Sequence, residues 1–150
     1  MKIIKEFNSK KILSLFWNQE GSPHFNAKGI AVGVFSGCFP FFGFQTLLGI
    51  FLARLINGNL VLAAIGTWIS NPFTYLPLYI FNFKVGSLFF KSNSENIEFN
   101  KFIGENIWNQ GWFFTSRILL GSFLVGMCLG LILGFITFYL YKFKSQRNFS

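Results

Sequence analysis

The stretch ISNPFTYLP, residues 69–77, interrupts an apolar segment with two prolines, an asparagine and a threonine. It lies inside a run from Asn59 to Phe90 whose one charged residue is Lys84. That run is longer than the roughly 20 residues that a straight helix needs to cross a bilayer. Non-helical backbone at membrane depth is tolerated only inside protein or beside a wet cavity. The sequence therefore predicts a membrane helix that is broken in its middle.

The composition is typical of a membrane protein. The chain has 150 residues, enough for one domain, and is 52% hydrophobic but 12% charged, with a mean hydropathy of +0.48. An ordinary soluble domain has about a quarter of its residues charged, so this chain has too little polar surface for a soluble fold. The net charge of +8 comes mostly from cations at the edges of apolar runs, which indicates anchors at a membrane surface and no nucleic-acid partner.

A second broken segment precedes the first along the chain. The apolar block from Gly29 to Ile56 is divided by PFFG, which contains Pro40 and Gly43. The piece before the break gives about 16 Å of helix, roughly half of the 30 Å hydrocarbon thickness. Two half-length helices around such a break form either one kinked span or a re-entrant hairpin that enters and leaves on the same side.

The third apolar block, Ile118 to Tyr141, is unbroken and is flanked by basic residues. It predicts a straight transmembrane helix. Before the first block, residues 5–17 are predicted to form a short basic helix on the membrane face, with a disordered arm as the alternative.

Positive charge predicts the topology. Five lysines lie in the N-terminal arm and three cations in the tail, against two lysines in the polar loop between the second and third blocks. Cytoplasmic segments carry the excess of Lys and Arg, so both termini are expected in the cytoplasm of a bacterial inner membrane. Because both termini are on the same side, the chain must cross the membrane an even number of times. The first block is then re-entrant, the second is a broken span and the third is a straight span. Three spans with the tail outside are the alternative.

The predicted fold is an all-α integral membrane protein of four parts. A cytoplasmic basic arm covers residues 1–28, and a membrane domain with two broken segments covers 29–90. A polar loop covers 91–116, and a transmembrane helix with a basic tail covers 117–150.

The breaks predict helix ends inside the membrane. Asn71 is a good N-cap with Pro72 at the first helical position, or Thr74 caps and Pro77 falls in the first turn. Either assignment leaves N–H groups that can donate hydrogen bonds to an anion. Paired interruptions of this kind indicate a midplane binding site in transporter folds, although proline kinks that only shape packing are the alternative.

One long motif runs through the two broken segments, at Gly33, Pro40, Gly43, Gln45, Arg54, Thr67, Trp68, Asn71, Pro72, Thr74, Pro77, Tyr79 and Gly86. This motif resembles the pattern of the prokaryotic membrane family catalogued as domain of unknown function 2062, and the resemblance covers roughly residues 23–90. Either Asn57 or Asn59 fills one further position. The resemblance implies membership but no mechanism. Because the domain accompanies glycosyltransferases in some relatives, it hints at lipid-linked or envelope chemistry.

No catalytic pattern is present. His24 is the one histidine, and all five glutamates lie outside the apolar blocks. A proton-coupled carrier usually needs an intramembrane carboxylate or histidine, and hydrolysis of lipid phosphates needs grouped acids or a metal. We therefore expect no enzyme, no catalytic residue, no cofactor and no metal.

The candidate ligand-binding residues are polar side chains at the breaks and one cation. Arg54 either extends to the membrane surface or pairs with a lipid phosphate, which suits its guanidinium group. The full set is Gln45, Thr46, Arg54, Asn71 and Thr74.

Two ridges of small residues are candidates for helix packing, because such ridges let helices approach closely in lipid. We expect them to pack within the chain, with dimerisation through the second ridge as the alternative. The ridges are Gly29, Gly33 and Gly37, and Ser122, Gly126, Gly130 and Gly134.

The predicted function is binding or movement of an amphiphilic anion, such as a phosphate-bearing lipid, at the junction of the broken helices. The alternative is a non-transporting accessory subunit that scaffolds an envelope or lipid-linked glycan enzyme. The expected partners are anionic membrane lipids, with a second copy of the chain or an envelope enzyme as further possibilities.

Overall fold

The protein is all-helical throughout the residues that the structure, a computed structural model, describes: 14–41, 43–89 and 107–147. The helices are α1 (Pro23–Gly37), α2 (Phe44–Leu55), α3 (Leu60–Gly66), α4 (Tyr75–Ser87) and α5 (Ile107–Arg147). A 3₁₀ turn, Thr67–Ile69, extends α3. The predicted all-α class is confirmed for these residues. Most of the predicted interfacial helix at residues 5–17 lies outside them.

One helix among the described residues, Phe114–Arg147 within α5, is long and apolar enough to cross a membrane. The sequence placed the start of this element at residue 117, but α5 begins at Ile107, inside the predicted polar loop. Phe114 extends the helix contact by packing on Phe83 of α4, with ring centroids 5.0 Å apart. The remainder of the predicted loop, up to residue 106, lies outside the described residues.

Helices α1 and α4 both pack against α5, and both run antiparallel to it. A Cβ at Gly121 would overlap the carbonyl oxygen of Asn82, and one at Gly86 would overlap that of Arg117. Further along α5, a Cβ at Gly130 would lie 2.6 Å from the carbonyl oxygen of Ala31. The two shorter helices thus run side by side with successive parts of α5, at distances that only glycine permits.

Helix α1 lies between α5 and α3. Gly29, Gly33 and Gly37 face Asn59, Ala63 and Thr67 in turn, so α1 and α3 run parallel. Helix α2 completes a hairpin with α1, since Gly49 contacts Ser36 and the Lys28 amine donates to the carbonyl oxygen of Ile56 (3.1 Å).

Both predicted breaks end helices. Helix α1 ends at Gly37, before Pro40, and α2 begins after Gly43, whose φ of 81° is accessible to glycine at little cost. The 3₁₀ turn after α3 ends at Ile69 and α4 begins at Tyr75, which places Pro77 in its first turn. Neither region is a continuous bent helix.

Candidate functional site

The two breaks meet at one place in the fold. The Tyr79 hydroxyl of α4 donates to the carbonyl oxygen of Phe39, just after α1 (3.2 Å). Ser70, just after the 3₁₀ turn, donates to the side-chain oxygen of Gln45 at the start of α2 (3.3 Å). We call the set Gln45, Thr46, Thr67, Ser70 and Tyr79 the break junction.

The break junction is held by hydrogen bonds between neutral side chains. The hydroxyls of Thr46 and Thr67 lie 3.0 Å apart, and that of Thr67 donates to the Ala64 carbonyl oxygen (2.7 Å). Ser70 Oγ lies 3.5 Å from the Tyr79 hydroxyl. Thr67 and Gln45 are 1% and 9% exposed, whereas Thr46, Ser70 and Tyr79 are half-buried, so the junction lies between the interior and the surface. These groups can bind a polar partner by hydrogen bonds or by oxygen lone pairs, and none is a carboxylate or an imidazole.

At the second break, Asn71 and Thr74 cap the backbone with their side chains. The Asn71 side-chain oxygen accepts from the N–H groups of Phe73 (2.9 Å) and Thr74 (3.1 Å). The Thr74 hydroxyl accepts from the Asn71 N–H (3.0 Å) and donates to the Ile69 carbonyl oxygen (2.6 Å). The formal N-cap of α4 is Thr74, but Asn71 caps the turn before it. The N–H groups of Phe73, Thr74 and Tyr75, which were expected to donate to an anion here, therefore already have partners within the chain.

Arg54 lies far from the break junction. It is exposed in the last turn of α2, whereas Gln45 lies in the first turn. Nine residues of α-helix separate the two by about 14 Å along the axis. The structure thus brings Gln45 and Thr46 into the junction, places Asn71 and Thr74 in a separate self-capped turn, and leaves Arg54 outside both.

Arg54 belongs instead to a basic end of the bundle. Helix α1 begins, α2 ends and α5 ends at this end of the fold. His24 packs on Phe138, with ring centroids 4.6 Å apart, and the Lys144 amine donates to the Trp17 carbonyl oxygen. The basic end, as we use the term, consists of Lys28, Arg54, Lys142, Lys144 and Arg147.

Two cations mark the opposite end of the bundle. Lys84 lies near the end of α4, and Arg117 of α5 lies over the Phe83 ring, 6.0 Å from its centroid. Along α5, the rise from Arg117 to Lys142 is about 38 Å. That distance lies between the hydrocarbon thickness of a bilayer, about 30 Å, and its full thickness of about 40–45 Å.

The two small-residue ridges pack within the chain, although not against each other. Gly126, Gly130 and Gly134 of α5 contact α1 on a different face, at Phe35, Ala31 and Ala27. Ser122 accepts a hydrogen bond from Asn82 (3.0 Å). The Gly29, Gly33 and Gly37 ridge faces α3 instead.

Buried asparagines are the polar residues that sequence reasoning missed. Asn26 and Asn82 are both 0% exposed. Asn59 donates to the Asn26 side-chain oxygen (2.8 Å) while accepting from the N–H groups of Val61 and Leu62. The available signal was the position of Asn82 between Phe81 and Phe83 in a mainly apolar segment, where polar residues are costly and often functional.

No group of three or more histidine, cysteine, aspartate or glutamate side chains that could hold a metal occurs among the described residues. No curated protein and no solved structure matches the chain. A family model does match, over residues 8–150. The chain therefore belongs to the family described as "uncharacterized protein conserved in bacteria (DUF2062)".

Proposed function

We propose that this protein is embedded in the bacterial inner membrane with its basic end in the cytoplasm. Two features support this placement: the distance between the basic end and the cations at the opposite end, and the apolar outer surface between them. Large apolar side chains on the outside of α5 are about half exposed or more, namely Phe123, Met127, Leu131, Ile132, Phe135 and Ile136. Lipid is the solvent that suits such a surface.

In this placement, α1 and α2 form a re-entrant hairpin. Their 15 and 12 residues correspond to about 22 and 18 Å of helix, less than the hydrocarbon thickness. Both helices contact the basic end, through the start of α1 and the end of α2. Helices α3 and α4 then form the broken span and α5 the straight span, with both termini on the cytoplasmic side.

The function that the geometry supports best is binding of an anionic, phosphate-bearing lipid at the basic end. One observation carries this proposal: cations from three separate helices gather at one end of the bundle. Clustered Lys and Arg at the membrane surface attract anionic headgroups, and the guanidinium group of Arg54 suits two-point contact with a phosphate. Binding is better supported than transport, because Arg54 and the break junction lie at opposite ends of α2.

The proposal is tested by measuring co-purified anionic lipid with native mass spectrometry. Arg54→Ala should lower retention of anionic lipid severalfold while the amount of folded protein stays normal. The matched control is Lys84→Ala, which removes an exposed cation from the opposite end and should leave retention close to the wild-type level. Unchanged retention in Arg54→Ala, or an equal loss in both variants, would count against the proposal.

An accessory role is the second candidate, and a different observation favours it. The side-chain oxygens of Asn71 and Thr74 at the second break bond to backbone within the chain, as expected of a break that serves packing alone. The outside of α2 also carries a stripe of exposed apolar residues, Phe44, Leu47, Phe51 and Leu55. If this role is correct, cross-linking in native membranes should join the stripe to an envelope enzyme, and Arg54→Ala should not alter lipid retention.

A further inference from the structure

We infer that Asn82 is the centre of a binding site for a monovalent alkali cation. Asn82 lies on α4 at a close contact with α5, where its carbonyl oxygen faces Gly121. Its side-chain amide donates to the Cys38 carbonyl oxygen (2.9 Å) and to the Ser122 hydroxyl (3.0 Å). All three residues are 0% exposed. The site therefore joins α4 and α5 to the C-terminal end of α1.

The Asn82 side-chain oxygen is the first reason to expect a ligand. It is fully buried and accepts no hydrogen bond from any residue that the structure describes. A buried acceptor without a partner costs free energy, and native proteins rarely leave one unexplained. This oxygen is available to a positively polarised or charged partner.

The surroundings favour a cation. Cys38 is the C-cap of α1, so its carbonyl group lies at the negative end of that helix dipole. The carbonyl oxygen of the next residue, Phe39, accepts from Tyr79. The unwound end of a broken helix, with its carbonyl oxygens turned inward, is the arrangement that coordinates Na⁺ in transporters with discontinuous helices. Ser122 Oγ adds a hydroxyl oxygen with a free lone pair.

The charge of the site selects a monovalent ion. Its oxygens come from a carboxamide, a hydroxyl and backbone carbonyls, all of them neutral. Divalent Ca²⁺ and Mg²⁺ are usually held with the help of carboxylates, and the one glutamate among the described residues, Glu20, lies before α1. Alkali cations can be held by neutral oxygens alone, as in the carbonyl rings of selective channels.

The experiment compares thermal unfolding of the detergent-solubilised protein in NaCl, in KCl and in choline chloride at equal ionic strength. A cation that binds the folded state raises the midpoint as its concentration rises. We expect NaCl, KCl or both to raise the wild-type midpoint above its value in choline chloride, in a saturable way. Asn82→Leu should abolish this increment, and Asn82→Asp should restore it at a lower cation concentration.

A milder variant keeps the test decisive if Asn82→Leu does not fold. Ser122→Ala removes one oxygen. The cation concentration that gives half of the rise in the unfolding midpoint should then be about tenfold higher than for the wild type. The matched control is Ser36→Ala, another fully buried serine, whose hydroxyl bonds within its own helix to Gly33 (3.0 Å) and should not alter the cation response. Equal midpoints in the three salts, or a Ser122→Ala response identical to that of the wild type, would overturn the inference.

Discussion

Asn59 and Asn71 begin helical turns in the same way. Each side-chain oxygen accepts from the backbone N–H groups two and three residues further on. Asparagine suits this position because its short polar side chain replaces the partner that the first turn lacks. The capping role of Asn71 was predictable from its place before Pro72. In the structure, the Asn71 side-chain oxygen occupies N–H groups that an anion could otherwise bind. This depends on the side-chain geometry, which cannot be read from the sequence.

Asn71→Ala should therefore act on stability rather than on lipid binding. Loss of an N-cap of this kind costs about 1 kcal/mol, so the thermal unfolding midpoint should fall by a few degrees. Asn71→Asp keeps an accepting oxygen and should retain most of the stability. Retention of anionic lipid, measured by native mass spectrometry, should equal that of the wild type in both variants. A selective loss of lipid at normal stability would place the headgroup at the break after all.

At the level of the helix, α1 shows what a small-residue pattern predicts and what it does not. The spacing of four in Gly29, Gly33 and Gly37 predicted a close helix contact, and the structure has one. Which helix the α1 glycines would contact was not predictable, because a ridge of small residues can pack against several different helix faces. The α5 glycines pack on the face of α1 that contains Ala27 and Ala31. Alanine is common in helices of every kind, so these two residues gave only a weak sequence signal for a packing face. The contact of α5 with α4 likewise begins before the predicted start of the helix, at Phe114 on Phe83.

Gly33→Ala should prevent normal folding. The added methyl group would overlap the Ala63 carbonyl oxygen, and backbone that is packed on both sides cannot easily move away. Size-exclusion chromatography of a fluorescent fusion should show loss of the monodisperse peak.

Gly111→Ala in α5 is the matched control for this substitution. A Cβ at Gly111 has no atom within 4 Å, and alanine favours helix over glycine by about 0.8–1.0 kcal/mol. This variant should fold as well as the wild type or better. Equal behaviour of the two variants would contradict the close packing of α1 on α3.

For the molecule as a whole, the positions of the charges were easier to predict than the site. Cations at the edges of apolar runs predicted anchors at a membrane surface, and among the described residues the fold places five of them at the basic end and two, Lys84 and Arg117, at the opposite end. The five candidate binding residues were chosen because they lie near breaks or charges along the chain. Whether such residues meet depends on helix direction, and the 12 residues of α2 carry Arg54 away from Gln45. The breaks themselves were visible because Pro and Gly act through local geometry.

Thiol labelling tests the proposed orientation. In a Cys128→Ala background, where Cys38 remains but is buried, Asn57→Cys lies in the exposed turn between α2 and α3 at the basic end. A membrane-impermeant maleimide should label it in inside-out vesicles and not in intact cells. Leu88→Cys, exposed at the opposite end, should show the reverse. Labelling of Asn57→Cys from outside the cell would invert the topology.

The position of α1 between α3 and α5 has a consequence for biogenesis. The ribosome completes α3 soon after α1, so the glycine face of α1 can be covered early. The opposite face of α1 is covered only when α5 has been made. The contacts of α5 join residues that lie far apart in the sequence, such as Phe16 and Tyr141. In the proposed membrane placement, the half-length hairpin of α1 and α2 lies in lipid with one side uncovered until α5 leaves the insertion machinery. Assembly should therefore finish late, and nascent chains halted before α5 should be ready substrates for membrane proteases.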